Sequence, residues 1–215
     1  MPGRALILTL AALVALAAAA APASATHSRG KCTARGTTIA KNDTGRVFER
    51  PRNVNVTLLM GCLWSRNRPF VMGEAWSDGY VVFESFDRLR LRGHFAAWLF
   101  TRSEFPCKGA CPPGYDGTTQ KVEVYDMRTG TKAKQMATKS QLTALRLNAA
   151  GSLAWLRSAG GANYEAHAWD RSGHTVVDTG PISQFRLRGS TLSWLSGDAE
   201  RTAALRGSAA SAPRR

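Results

Sequence analysis

Residues 145–156 read Leu145-Arg146-Leu147-Asn148-Ala149-Ala150-Gly151-Ser152-Leu153-Ala154-Trp155-Leu156. An apolar–arginine–apolar triplet, a turn containing glycine and a second run ending in Trp-Leu describe two short strands joined by a hairpin. The pattern recurs twice. Leu89-Arg90-Leu91 leads through Gly93 to Trp98-Leu99, and Phe185-Arg186-Leu187 leads through Gly189 to Trp194-Leu195. Trp98, Trp155 and Trp194 therefore hold equivalent places in an internal repeat.

A second correspondence lies further along each unit. Val124-Tyr125-Asp126-Met127-Arg128-Thr129-Gly130 matches Ala168-Trp169-Asp170-Arg171-Ser172-Gly173. Both end a strand and enter a tight turn, where aspartate bonds its own backbone and glycine supplies a positive φ. The middle unit then reads as four strands, at 144–148, 152–157, 164–170 and 175–179. Short runs rich in Val, Leu, Trp and Tyr between turn residues favour β-structure, and no apolar stripe of helical period occurs. Ala96-Ala97-Trp98-Leu99-Phe100 is apolar on both faces, which predicts a central strand covered on both sides. The fold class is all-β.

Four-stranded antiparallel units of about 40 residues, ending a strand in Tyr-Asp or Trp-Asp before a turn glycine, are blade-like. On these residues the chain resembles secreted bacterial proteins with β-propeller-like (WD40-like/TolB-type) repeats. The resemblance covers about residues 45–206 and implies an incomplete or open propeller, because about three units plus fragments are visible and rings close with four to eight blades. The N-terminal runs at 47–49, 54–64 and 70–75 are expected to complete the unfinished last blade. A homo-oligomer or a partner completing the ring is the alternative.

The chain has 215 residues, 29 Lys+Arg and 15 Asp+Glu, for a net charge of +14; 44% of residues are hydrophobic and 20% charged, a globular composition. Arg4, an apolar stretch over 5–21 and Ala23-Ser24-Ala25 form the three parts of a secretory signal, with cleavage expected after Ala25. Its removal leaves 190 residues and a charge of +13, since Arg4 is the one charged residue lost. Residues 26–206 are assigned to the repeat domain and 207–215 to a disordered basic tail. No transmembrane helix is expected in the mature, secreted chain.

Repeat spacing locates an insertion. Trp98 to Trp155 spans 57 residues against 39 for Trp155 to Trp194, and most of the excess falls between Trp98 and Tyr125. That stretch carries Cys107 and Cys111 in a turn-rich loop, of the kind where binding residues gather. Four cysteines allow three pairings. Cys107–Cys111 and Cys32–Cys62 are preferred, the first within one loop and the second tying the N-terminus to a strand. The spacing fits neither a zinc site nor a redox Cys-x-x-Cys, and no cofactor or metal is expected.

No nucleophile elbow, metalloprotease helix, P-loop or dinucleotide fingerprint is present. His94, His167 and His174 are read as solvated strand and turn residues, and Asp126 and Asp170 as turn-formers. The sharper signal is basic. Arg90, Arg146 and Arg186 recur at one position between apolar neighbours, so alternation turns the arginines away from the face that the neighbours bury. Arg88, Arg92 and Arg188 add to the row, although codon bias also enriches arginine, which supplies 22 of the 29 cations. The sequence therefore points to a secreted non-catalytic binding or structural module with a basic face for anionic envelope polymers. The alternative is a secreted hydrolase or lyase acting on extracellular glycans through His167 or carboxylates.

Overall fold

The computed structural model describes residues 32–104, 117–137 and 142–211. Among these residues fifteen strands make four antiparallel sheets, each a meander in chain order, none of them closed on itself. The first sheet holds β1 (Thr37–Lys41), β2 (Gly45–Asn53), β3 (Val56–Leu63) and β4 (Phe70–Trp76). The second holds β5 (Val82–Arg92), β6 (Phe95–Glu104), β7 (Thr118–Asp126) and β8 (Thr131–Ala137). The third holds β9 (Leu142–Leu147), β10 (Leu153–Gly160), β11 (Asn163–Asp170) and β12 (Gly173–Gly180). The fourth has three strands, β13 (Ile182–Arg188), β14 (Thr191–Ser196) and β15 (Ala199–Ala204). One 3₁₀ turn, Ala209–Ser211, is the sole helical element among the described residues.

The repeat thus yields four blade-like units in an open arrangement, not three and fragments. The N-terminal runs build a complete sheet of their own and leave the last sheet three-stranded. Tight hairpins account for this, because β1 to β4 pair consecutively and each strand's nearest partner in sequence is also its partner in space. A second correction concerns the tail. Ala209 and Ala210 are buried, and Ala209 N–H donates to Gly151 O at 3.0 Å, so residues 207–211 are ordered while 212–215 lie outside the described residues. The signal segment over 1–25 also lies outside them.

Period-2 alternation assembles the core. In β6, Ala96 and Trp98 face the first sheet and join Val47, Leu59, Leu91 and Met127. Ala97 and Leu99 face the other way and join Leu145, Leu153, Trp155 and Trp169 of the third sheet. In β10 the same rule sends Ala154 and Leu156 towards Phe185, Leu192 and Trp194 of the fourth. Each tryptophan therefore packs against the preceding sheet, and burying one contributes roughly 2 to 3 kcal/mol. The sequence expectation of doubly covered strands holds for β6 and β10. It ends at β14, where Thr191 is exposed and Ser193 and Leu195 half-exposed.

On the outer face of the first sheet, Phe48, Leu58 and Met60 pack with the Cys32–Cys62 disulfide, whose Cα atoms lie 5.7 Å apart. The expected N-terminal tie is therefore present. Cys107 and Cys111 fall within 105–116, outside the described residues. The connection that holds them leaves β6 and enters β7, where the spacing had placed it; Glu104 N–H donates to Gly117 O at 2.8 Å across its base.

Candidate functional site

The first strand of each sheet, β1, β5, β9 and β13, lies on the inner side of the stack. All four carry an irregularity in register, at Thr38/Ala40, Asp87/Arg90, opposite Leu156/Arg157 and at Ser183/Arg186. Arg88 and Gln184, each two residues before the repeated arginine, take positive φ values of 52° and 49°. Such a conformation costs a non-glycine residue of order 1 kcal/mol and re-aims the side chain at the bulge.

The alternation read from the sequence is realised. Leu89, Leu91, Leu145, Leu147 and Phe185 are buried, whereas Arg88, Arg90, Arg186 and Arg188 are exposed and Arg146 half-buried. Among the described residues none of these five arginines forms an ion pair with a carboxylate. Burial first, then repulsion from Arg146, Arg88 and Arg92, lowers the pKa of Arg90. Arg88, Arg90, Arg92 and Arg146 thus lie close enough to repel one another across the second and third sheets.

Neighbouring sheets use these arginines differently. Between the second and third, Arg88 Nη1 donates to Thr143 O at 2.9 Å and Arg90 Nε to Leu145 O at 3.3 Å. Both carbonyls belong to β9, the edge strand of its sheet, so the guanidiniums satisfy acceptors that the ladder leaves unpaired. Two of the five sequence-selected arginines are therefore structural ties as well as surface charges.

Between the third and fourth sheets the corresponding tie is missing. Arg146 Nη1 bonds only Leu145 O of its own strand, at 3.2 Å. A cleft of about 450 Å³ opens there, lined by Arg146, Leu156 and Tyr164 on one side and residues 182–186 on the other. Arg146 and Arg186 both border it, and among the described residues no carboxylate does. Ser183, Gln184 and Tyr164 add neutral hydrogen-bonding groups. The cleft is held at one end by Asn148 Nδ2, which donates to Gly189 O at 3.0 Å, and further out by Trp194 Nε1, which donates to Asp178 Oδ2 at 2.5 Å. Those two bonds link the third and fourth sheets on either side of the cleft.

The aspartates and histidines singled out in the sequence are engaged locally. Asp126 Oδ1 accepts from Arg128 N–H at 2.8 Å, and Asp170 Oδ1 from Ser172 N–H at 2.8 Å, as the turn reading required. Burial pushes the Asp170 carboxyl up, but bonds from Ser172 and from the Arg206 amide at 2.6 Å hold it below the usual range. His167 is not solvated: it is 6% exposed, stacks 5.0 Å from Trp155, and its Nδ1 lies 2.9 Å from His174 Nε2. Burial, then the positive charges of His174 and Arg157, lowers its pKa to about 4 despite the Glu165 carboxylate. His94 packs 4.2 Å from the Phe95 ring. Among the described residues no group of three or more His, Cys, Asp or Glu is placed to hold a metal ion.

Sequence reasoning missed two contributors. Gln184 and Tyr164 carry no pattern that marks them, since only the splay of β9 from β13 makes them neighbours. Asn148 was legible: Asn42-Asp-Thr-Gly45 repeats Asn148-Ala-Ala-Gly151, and Asn42 Nδ2 donates to Gly93 O at 3.0 Å as Asn148 does to Gly189 O.

Compared with known proteins, the chain matches no protein-family model, and no curated protein matches it.

Proposed function

We propose that this chain is a secreted, non-catalytic binding module that holds an anionic group of a cell-envelope polymer between Arg146 and Arg186. One observation carries the reading: two guanidiniums that recur at the repeat's arginine position border one cleft that no carboxylate lines among the described residues. Hydrogen bonds from ionised donors are about twice as strong as neutral ones. The surrounding Arg88, Arg90, Arg92 and Arg188 raise the local concentration of a polyanion before it docks. Phosphate-bearing wall polymers, acidic glycans and extracellular DNA share the required chemistry.

Secretion is supported by residues 1–25 and by the Cys32–Cys62 disulfide, a bond that persists in oxidising compartments. Among the described residues no helix is long and apolar enough to cross a membrane. The hydrolase reading gains nothing from His167 or Asp170, which are engaged with Trp155, His174, Ser172 and Arg206. Binding of fluorescent polyphosphate and of an acidic glycan to the full secreted protein tests the proposal. Affinity is expected to fall steeply with salt and to drop roughly tenfold in Arg146→Ala/Arg186→Ala. Unchanged affinity in that variant would falsify it.

A further inference from the structure

The cleft between the third and fourth sheets holds more than its two arginines. Leu156, Ile182 and Phe185 bring apolar surface to its lining, while Tyr164, Ser183 and Gln184 bring a phenol, a hydroxyl and an amide. Among the described residues none of those three polar groups is taken up by a hydrogen bond within the protein. Their neighbours differ: Thr143 Oγ1 donates to Leu156 O at 3.4 Å, and Asn148 and Trp194 are bonded across the junction. At about 450 Å³ the cleft has the size of a small-molecule site, where apolar lining and a few convergent polar groups set specificity.

Gln184 stands two residues before Arg186, the place that Arg88 holds before Arg90. Both take a positive φ at a break in register, 49° at Gln184 and 52° at Arg88. Arg88 uses that conformation to reach a carbonyl of the next sheet. Gln184 belongs to the last of the four sheets, where no further edge strand follows among the described residues. The strained backbone there carries a side chain that both donates and accepts.

We infer that the guest of this cleft, on the reading proposed above, is a hexuronate residue of an acidic glycan. Its carboxylate matches the guanidinium fork of Arg146 or Arg186. Its hydroxyls donate and accept, as do the Tyr164 and Ser183 hydroxyls and the Gln184 amide. Its C–H face covers apolar surface of Leu156 and Ile182 that a bare phosphate chain leaves in water. Polyphosphate engages the arginines alone.

The test compares fluorescent polygalacturonate, polyphosphate and a single-stranded DNA oligonucleotide binding to the full secreted protein. At about 0.3 M salt charges act over less than about 8 Å, so short-range contacts weigh more. Polyphosphate is the more densely charged polymer, and electrostatics alone ranks it above polygalacturonate. The expected order is the reverse, by roughly fivefold. In Tyr164→Phe/Gln184→Gly that preference should shrink to less than about twofold. Polyphosphate or DNA binding more tightly than polygalacturonate, or a preference that survives the double substitution, overturns the inference. Failure of the cleft itself has a different mark: Arg146→Ala/Arg186→Ala would then bind both polymers as wild type does, and both proposals fall.

Discussion

The junction between the second and third sheets and the junction between the third and fourth start from one sequence pattern and end differently. In the first, Arg88 and Arg90 reach the β9 carbonyls, Trp155 stacks with His167 and His174, and Ala209 seals the seam. In the second, Arg146 reaches no carbonyl of β13, Trp194 bonds Asp178 instead of stacking on imidazoles, and a cleft opens beside two arginines. A repeated residue thus has two fates. Where the next edge strand is within reach the arginine becomes a tie, and where the sheets splay it bonds only within its own strand.

That contrast sets the order of expected effects. The largest belongs to Ala209, 0% exposed in the closed junction. Ala209→Arg forces a charge into packed apolar surface and should cost about 3 kcal/mol or more in urea unfolding. Ser183→Arg, at the exposed rim of the open junction, should change stability by less than about 0.5 kcal/mol. Comparable losses from both would erase the distinction between the junctions.

Acid comes next. The folded-state pKa of His167 is about 4, below its unfolded value of 6.5. Between those pH values the unfolded chain binds more protons, so stability should fall as pH drops from 6.5 towards 4, by roughly 3 kcal/mol. His174, lowered by burial, acts in the same direction. The second sheet fills the equivalent places with Glu123 and Lys132, whose Nζ lies 2.8 Å from the carboxylate and 5.2 Å from the Trp98 ring. Denaturant midpoints across pH should therefore flatten in His167→Gln, and a full acid limb in that variant would move its origin elsewhere.

Smaller still is the arginine tie. Arg88→Ala/Arg90→Ala should lower stability by about 1 kcal/mol, through lost bonds to the β9 edge. Arg146→Ala/Arg186→Ala should stay within about 0.5 kcal/mol of wild type in the same thermal melts. Gln184→Gly relieves the positive φ at the cleft and should raise stability by a few tenths of a kcal/mol, roughly.

Much of this architecture is legible in the amino acids. The Leu-Arg-Leu and Trp-Leu runs place three sheets, and the turn aspartates behave as their spacing says. The first sheet escaped recognition as a whole unit because its inner strand reads Ile39-Ala40-Lys41 and its second strand lacks tryptophan. Its kinship lay in Asn42 and Gly45, which copy Asn148 and Gly151. The C-terminal residues looked like a tail for the reason they are useful: Ala209 and Ala210 are small enough to enter a seam between sheets. The arginines of the site were visible one by one. Their division into ties and free groups was not, since it depends on the separation of β9 from β13, a tertiary quantity with no local signature.

The most direct measurement is polyphosphate affinity, read against salt, for wild type, Arg146→Ala/Arg186→Ala and Arg88→Ala/Arg90→Ala. The expected result is a loss of roughly tenfold at about 0.1 M salt in the cleft variant and less than about threefold in the tie variant. Equal losses in both variants, or a larger one in the tie variant, would contradict the assignment of the open junction as the binding site.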